Sequence, residues 1–152
     1  MRYFAYGNLL DIDIMRRIAP SVRSLGVMRL DDHEIAFARC ADPSQAGCTL
    51  DETRGSQTWG VQYEMSDEDM AALDKAAGVP VGHWEHKEIT LIDKDGRATP
   101  SVTYVIPKSS GDYSPPEAYV APIFKGADAF GLPGDYVKRL KEIIDNAQAK
   151  KL

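Results

Sequence analysis

The sequence predicts an α+β fold with a mixed, mostly antiparallel, barrel-like β core and short helices. The first indication is a set of six or seven short strand-like segments. Residues 59–65 alternate most clearly, with Trp59 and Val61 among the apolar side chains on one face. The second is helical periodicity inserted between these segments and dominating the C-terminus. The length of 152 residues, without internal repeats or a linker, fits a single domain over residues 1–152.

Five segments of the N-terminal half carry strand or helix signals. In chain order they are a strand at 2–6, a helix at 11–19, a long strand or strand pair at 22–39, and two strands at 47–50 and 58–65. Gly7 ends the first strand at a sharp loop, and Pro20 ends the first helix. Asp31 and Asp32 mark a bend within the long strand.

Five segments of the C-terminal half follow the same logic. They are a helix between Ser66 and Gly78, strands at 85–92 and 98–106 joined by a hairpin, a helix from Pro115 to about Ala129, and a last helix opened by Pro133. Ser66 is a typical N-cap, and the acidic residues after it suit the positive end of the helix dipole. The spacing of Met70, Leu73 and Ala77 predicts that these three side chains face the core.

The net charge and the composition argue against two classes of protein, those that bind nucleic acids and those that associate with membranes. The net charge is −5 without an extended basic run, which argues against nucleic-acid binding. No apolar stretch is long enough for a membrane span and no signal-peptide core is present, so we expect no membrane association and a cytoplasmic location. Cys40 and Cys48 are interpreted as reduced thiols, although one bridge across a hairpin stays possible.

Three stretches carry a resemblance to a known family. Residues 3–9 resemble the opening YFAYGSNL of the γ-glutamylcyclotransferase-like superfamily. Residues 59–65 and 73–79 resemble its WGVxxxM strand and the LDxxEGV end of its helix. Residues 125–136 resemble the GA…GLPxxY segment of the γ-glutamylcyclotransferase branch. Order and spacing agree along nearly the whole chain, so the resemblance implies the γ-glutamylcyclotransferase-like fold.

The resemblance implies an intramolecular acyl transfer. In this reaction the α-amine of a γ-glutamyl group attacks its own γ-carbonyl, giving 5-oxoproline and a free amine or amino acid. The expected ligand is a small γ-glutamyl amine or peptide, no cofactor or metal is needed, and a homodimer is possible. The substrate-binding positions implied by the resemblance are Tyr6, Gly7, Asn8, Leu9, Trp84 and Tyr119.

Two departures from the family pattern concern the chemistry. The loop after the first strand is one residue shorter than the Tyr-Gly-Ser-Asn-Leu pattern. The family glutamate before Gly-Val corresponds to Ala77, and a methyl group cannot act as a general base. Three explanations are open: natural loss of activity, an engineered substitution, or a relocated acid, for which Asp74 and Glu85 are the candidates.

Three functional hypotheses follow. The first is a γ-glutamylcyclotransferase in which Asp74 or Glu85 replaces the missing base. The second is a catalytically inactive binding or regulatory module that keeps the pocket. The third is unrelated chemistry on the same fold. His83 and His86 suggest a metal site at first, but on a strand they would point to opposite faces, which predicts no zinc site.

Overall fold

The computed structural model describes residues 1–150 and 152 and contains six strands and four helices in that part of the chain. The strands are β1 (Arg2–Ala5), β2 (Arg23–Arg39), β3 (Ala46–Glu64), β4 (Glu85–Ile92), β5 (Ala98–Val105) and β6 (Gly111–Asp112). The helices are α1 (Ile12–Ile18), α2 (Asp67–Ala77), α3 (Glu117–Phe130) and α4 (Gly134–Gln148). None of the described helices combines the length and the hydropathy that crossing a bilayer requires.

The sheet closes on itself. Its order is β3-β1-β5-β4-β2-β6, and β2 also pairs with β3, so five strands form a barrel. The short strand β6 pairs with the last residues of β2. The pairing of β1 with β5 is parallel and the other pairings are antiparallel. The predicted mixed, mostly antiparallel, barrel-like core is confirmed.

The two longest strands, β2 and β3, form a hairpin that the sequence predicted only in part. The bend expected near Asp31 and Asp32 is a register shift between Asp31 and His33, where Asp32 adopts a positive φ of 60°. The two strands predicted at 47–50 and 58–65 are one continuous strand. The polar residues between them are mostly exposed, so they show no alternation. Asp51, Glu52 and Gln57 pair with β2, whereas residues 53–56 form the irregularity opposite Asp32.

Helix α2 begins and ends where the sequence predicted. The Ser66 side chain accepts a hydrogen bond from the Asp69 backbone N–H, and Gly78 ends the helix in the left-handed region at φ 75°. Met70 and Leu73 are buried in the barrel core as expected. Ala77 is only half-buried, because the last turn of α2 passes the edge of the core and lines a cavity.

Candidate functional site

A cavity of about 500 Å³ opens beside one end of the barrel. Its wall is built from the loop after β1, the last turn of α2, the segment between α2 and β4, and the side chain of Tyr119 from α3. All six positions implied by the resemblance line it, namely Tyr6, Gly7, Asn8, Leu9, Trp84 and Tyr119. Ala77 lines the same cavity.

The loop after β1 is fixed from both sides. Leu10 N–H donates to Gly7 O at 3.0 Å, which starts a short 3-10 turn. From the barrel, the Tyr63 hydroxyl donates to Leu9 O at 2.9 Å. From α3, the backbone packs so closely on Leu10 that a side chain at Gly126 would overlap it. The loop is therefore a rigid part of the cavity wall.

Cys48 on β3 contacts three of the regions that line the cavity. Its backbone N–H donates to the Tyr119 hydroxyl at 2.9 Å, and that hydroxyl lies 3.4 Å from the Cys48 sulfur. Its carbonyl accepts the Trp84 indole N–H at 3.0 Å. Gly7 approaches the sulfur so closely that a Cβ atom there would overlap it. Gly47 likewise leaves room for Tyr119 and Trp84, which a Cβ atom would crowd.

The connection from α2 to β4 carries Trp84 into the wall. Gly78 and Gly82 both adopt positive φ angles, 75° and 81°, and His83 N–H donates to Gly78 O at 3.0 Å. Strand β4 starts at Glu85, as predicted, and His83 lies in the bend before it, so the strand geometry used to argue against a zinc site does not apply to His83. His83 lines the cavity instead.

The two candidate acids occupy different environments. Asp74 lies one turn before Ala77 on α2, and its Oδ1 accepts hydrogen bonds from the Tyr104 hydroxyl at 2.5 Å and from His86 Nε2 at 2.7 Å. Tyr104 lines the cavity, so Asp74 lies directly behind its wall. Glu85 is exposed at the start of β4 and lies outside the cavity lining.

The electrostatics of the cavity are neutral to positive. Burial raises the pKa of the Cys48 thiol, and hydrogen bonds from Tyr119 and the Asn8 backbone act in the opposite direction. Burial also raises the pKa of Tyr6 and of Tyr119, so these groups are neutral near pH 7. Within the described part of the chain, Lys75 and His83 are the basic residues of the lining, and the lining contains no carboxylate.

Two contributors to the site were not identified as such from the sequence. Cys48 was interpreted only as a buried thiol, and both it and Cys40 are buried free thiols. Tyr104 on β5 was not singled out. Neither carries a local signal, because the pairing of distant strands brings them to the cavity. Residues 1–150 and 152 contain no grouping of three His, Cys, Asp or Glu side chains suited to a metal ion.

Comparisons with known proteins agree on the kind of protein that shares this architecture. A model of the AIG2-like family matches residues 57–140. The chain is 30% identical to a γ-glutamylcyclotransferase of Bos taurus over 149 residues, which cover 95% of this chain and 79% of that protein. It is 28% identical to the γ-glutamylcyclotransferase of Mus musculus over 156 residues, covering 99% and 82% of the two chains.

Solved structures extend the likeness to the whole fold. A protein described as a γ-glutamyl cyclotransferase superposes with a TM-score of 0.84 over 99% of both chains, at 23% sequence identity. The barrel and its helices therefore have the same arrangement as in that structure.

Proposed function

Since this chain belongs to the AIG2-like family within the γ-glutamylcyclotransferase-like superfamily, we propose that it binds a small γ-glutamyl amine or peptide in the cavity. One observation carries the proposal. The loop from Tyr6 to Leu9, Trp84 and Tyr119 come from three distant parts of the chain and line one cavity. A volume of about 500 Å³ suits a ligand of this size.

We propose that the cavity meets two of the three requirements of the family reaction. A rigid loop can hold the γ-glutamyl chain folded, so that its nitrogen meets its own carbonyl carbon. We propose that backbone N–H groups of that loop face the oxygen on which negative charge develops. The third requirement is a base that removes a proton from the α-ammonium, because only the neutral amine is a nucleophile.

We infer that the base is the missing part, and that this protein holds its ligand with slow or no turnover. The Ala77 methyl occupies the position at which the resemblance predicts a glutamate, and no other described lining residue supplies a carboxylate. Loss of a general base costs about 10²–10⁴-fold in rate. The missing loop residue acts in the same direction, because it removes one backbone group from the wall.

The test measures 5-oxoproline release from a panel of γ-glutamyl amines and dipeptides, with ligand binding followed by calorimetry. We expect binding by the natural chain and a rate of release that rises at least tenfold in the Ala77→Glu variant. Ala72→Glu is the matched control, since it adds the same carboxylate to an exposed position of α2 outside the cavity lining. Absence of binding across the panel, together with no gain in Ala77→Glu, would refute the proposal.

A second candidate function is a working γ-glutamylcyclotransferase whose base is Asp74. The contact of Asp74 with Tyr104 favours it, because a proton taken at the Tyr104 hydroxyl could pass directly to the carboxylate. Rapid release of 5-oxoproline by the natural chain would select this candidate. Asp74→Asn should then abolish the activity, while Glu85→Gln should leave it intact; the opposite pattern would identify Glu85 as the base.

Three expectations from the sequence stay predictions. They are the cytoplasmic location, the homodimer and the lack of nucleic-acid binding. Sedimentation velocity of the purified chain would test the dimer directly.

A further inference from the structure

We propose that the cavity favours a carboxylate ligand without an ammonium group, such as the lactam 5-oxoproline, over the open-chain γ-glutamyl compound. This inference rests on the proposed function, because it chooses between ligands of that same cavity. It concerns what the cavity holds most tightly and is independent of whether the chain is a slow enzyme.

The first argument is the charge of the lining. Lys75 is exposed on the last turn of α2 and His83 is half-buried in the following bend, and both line the cavity. The remaining polar lining groups that can ionise are tyrosines and Cys48, which are neutral near pH 7 because burial disfavours their charged forms. Such a wall suits a ligand carboxylate and offers no opposite charge to an ammonium group.

The second argument concerns the ammonium group. An open-chain γ-glutamyl compound carries an α-ammonium next to its α-carboxylate, and a desolvated ammonium requires an acceptor or an opposite charge. Ala77 provides a methyl group at the position from which a carboxylate would serve it. Asp74 lies behind the wall and outside the lining, and its Oδ1 accepts hydrogen bonds from Tyr104 and His86.

The third argument is the complementarity of the lactam. Cyclisation converts the ammonium nitrogen into a neutral amide N–H and leaves the α-carboxylate free. A neutral N–H can be satisfied by a hydroxyl or carbonyl oxygen, and the Tyr119 hydroxyl keeps acceptor capacity beside its contacts with Cys48. The carboxylate can take donors from the rigid loop backbone and the positive charge of Lys75.

Three probe ligands test how the ammonium group affects binding. N-glutaryl-L-alanine has the same γ-amide chain as γ-L-glutamyl-L-alanine but lacks the α-amino group, so it cannot cyclise. The third probe is 5-oxoproline itself. Dissociation constants are measured by calorimetry on the intact chain, and 5-oxoproline release is followed in the same samples so that turnover does not disguise binding.

We expect N-glutaryl-L-alanine and 5-oxoproline both to bind at least roughly tenfold more tightly than γ-L-glutamyl-L-alanine, because a charged group left without its partner costs that much or more. Equal or tighter binding of γ-L-glutamyl-L-alanine overturns this inference and leaves the proposed function standing. Tight binding of N-glutaryl-L-alanine without 5-oxoproline also overturns it. If none of the three binds, the proposed function fails as well.

Variants at Ala77 test the cause of the preference. Ala77→Glu should reverse the order of the two alanine derivatives, whereas Ala77→Gln, with the same size but no charge, should not. Ala72→Glu controls for the added negative charge, and circular dichroism verifies that each variant is folded. If Ala77→Glu and Ala77→Gln give the same order of affinities, the missing carboxylate is not the cause and the inference is refuted.

Discussion

The Tyr104 hydroxyl donates a 2.5 Å hydrogen bond to Asp74 Oδ1, which connects a barrel strand to the helix that ends at the cavity. Tyr104 lies on β5 and Asp74 on α2, and the carboxylate is 23% exposed. Burial and the bond to Asp74 together raise the pKa of Tyr104 well above its ordinary value, so the hydroxyl remains a donor. This contact connects the last turns of α2, and with them Ala77, to the barrel.

Removing the contact should destabilise the protein. A hydrogen bond to a charged group contributes about 1.5–3 kcal/mol, so Tyr104→Phe and Asp74→Asn should each lower the free energy of unfolding by up to about that amount. The double variant should be less destabilised than the sum of the two, with a coupling of at least about 0.5 kcal/mol. Urea denaturation of the four proteins measures this, and strictly additive losses would show that the two side chains do not interact.

Close packing of the Gly7 loop against Cys48 gives a second prediction. A Cβ atom at Gly7 would overlap the Cys48 sulfur but would lie 3.5 Å from Cys48 Cβ, which is an ordinary contact. Gly7→Ala should therefore cost about 1–3 kcal/mol of stability and weaken ligand binding, since the loop must move. Cys48→Ala in the same chain should recover most of that loss, because it removes only the sulfur.

Chemical denaturation of the single and double variants tests this rescue, with Cys40→Ala in the Gly7→Ala background as the matched control. Cys40 is also a buried thiol, but its removal leaves the overlap at Gly7 in place. Equal recovery by the two cysteine substitutions would contradict the steric explanation.

Much of the fold could be predicted because its signals are local. Ser66 and Gly78 bound α2 through a side-chain cap and a left-handed glycine, which any helix end of this type uses. The middle of β3 could not be predicted, because residues 51–57 are mostly exposed and only Asp51, Glu52 and Gln57 among them pair with β2. Alternation reports burial on one face, so a strand exposed on both faces has no periodic signal.

The residues of the candidate site also fall into two groups, those that the sequence predicted and those that it did not. The loop at Gly7 was predicted from a motif, and Trp84 and Tyr119 as single positions implied by the resemblance, and all three line one cavity. Cys48 and Tyr104 were missed because their roles depend on which strands become neighbours. Cys48 forms a hydrogen bond with Tyr119, which is 71 positions away in the sequence. Tyr104 forms one with Asp74, which is 30 positions away. Contacts between residues that are distant in the sequence produce no local sequence pattern.

Alkaline pH should destabilise the protein in two stages. Burial raises the pKa of Cys48 and, well above the ordinary value, those of Tyr6 and Tyr119. The folded state then keeps protons that the unfolded chain loses above about pH 8.5 for cysteine and about pH 10 for tyrosine. Stability is therefore complete below pH 8 and falls as the pH rises, by about 1.4 kcal/mol per pH unit for each group that stays protonated.

Unfolding free energies measured from pH 6 to 11 should show this decline, and Cys48→Ala should reduce its slope between pH 8.5 and 10. A flat profile, or an unchanged slope in Cys48→Ala, would mean that the thiol ionises as easily in the folded protein as in the unfolded chain.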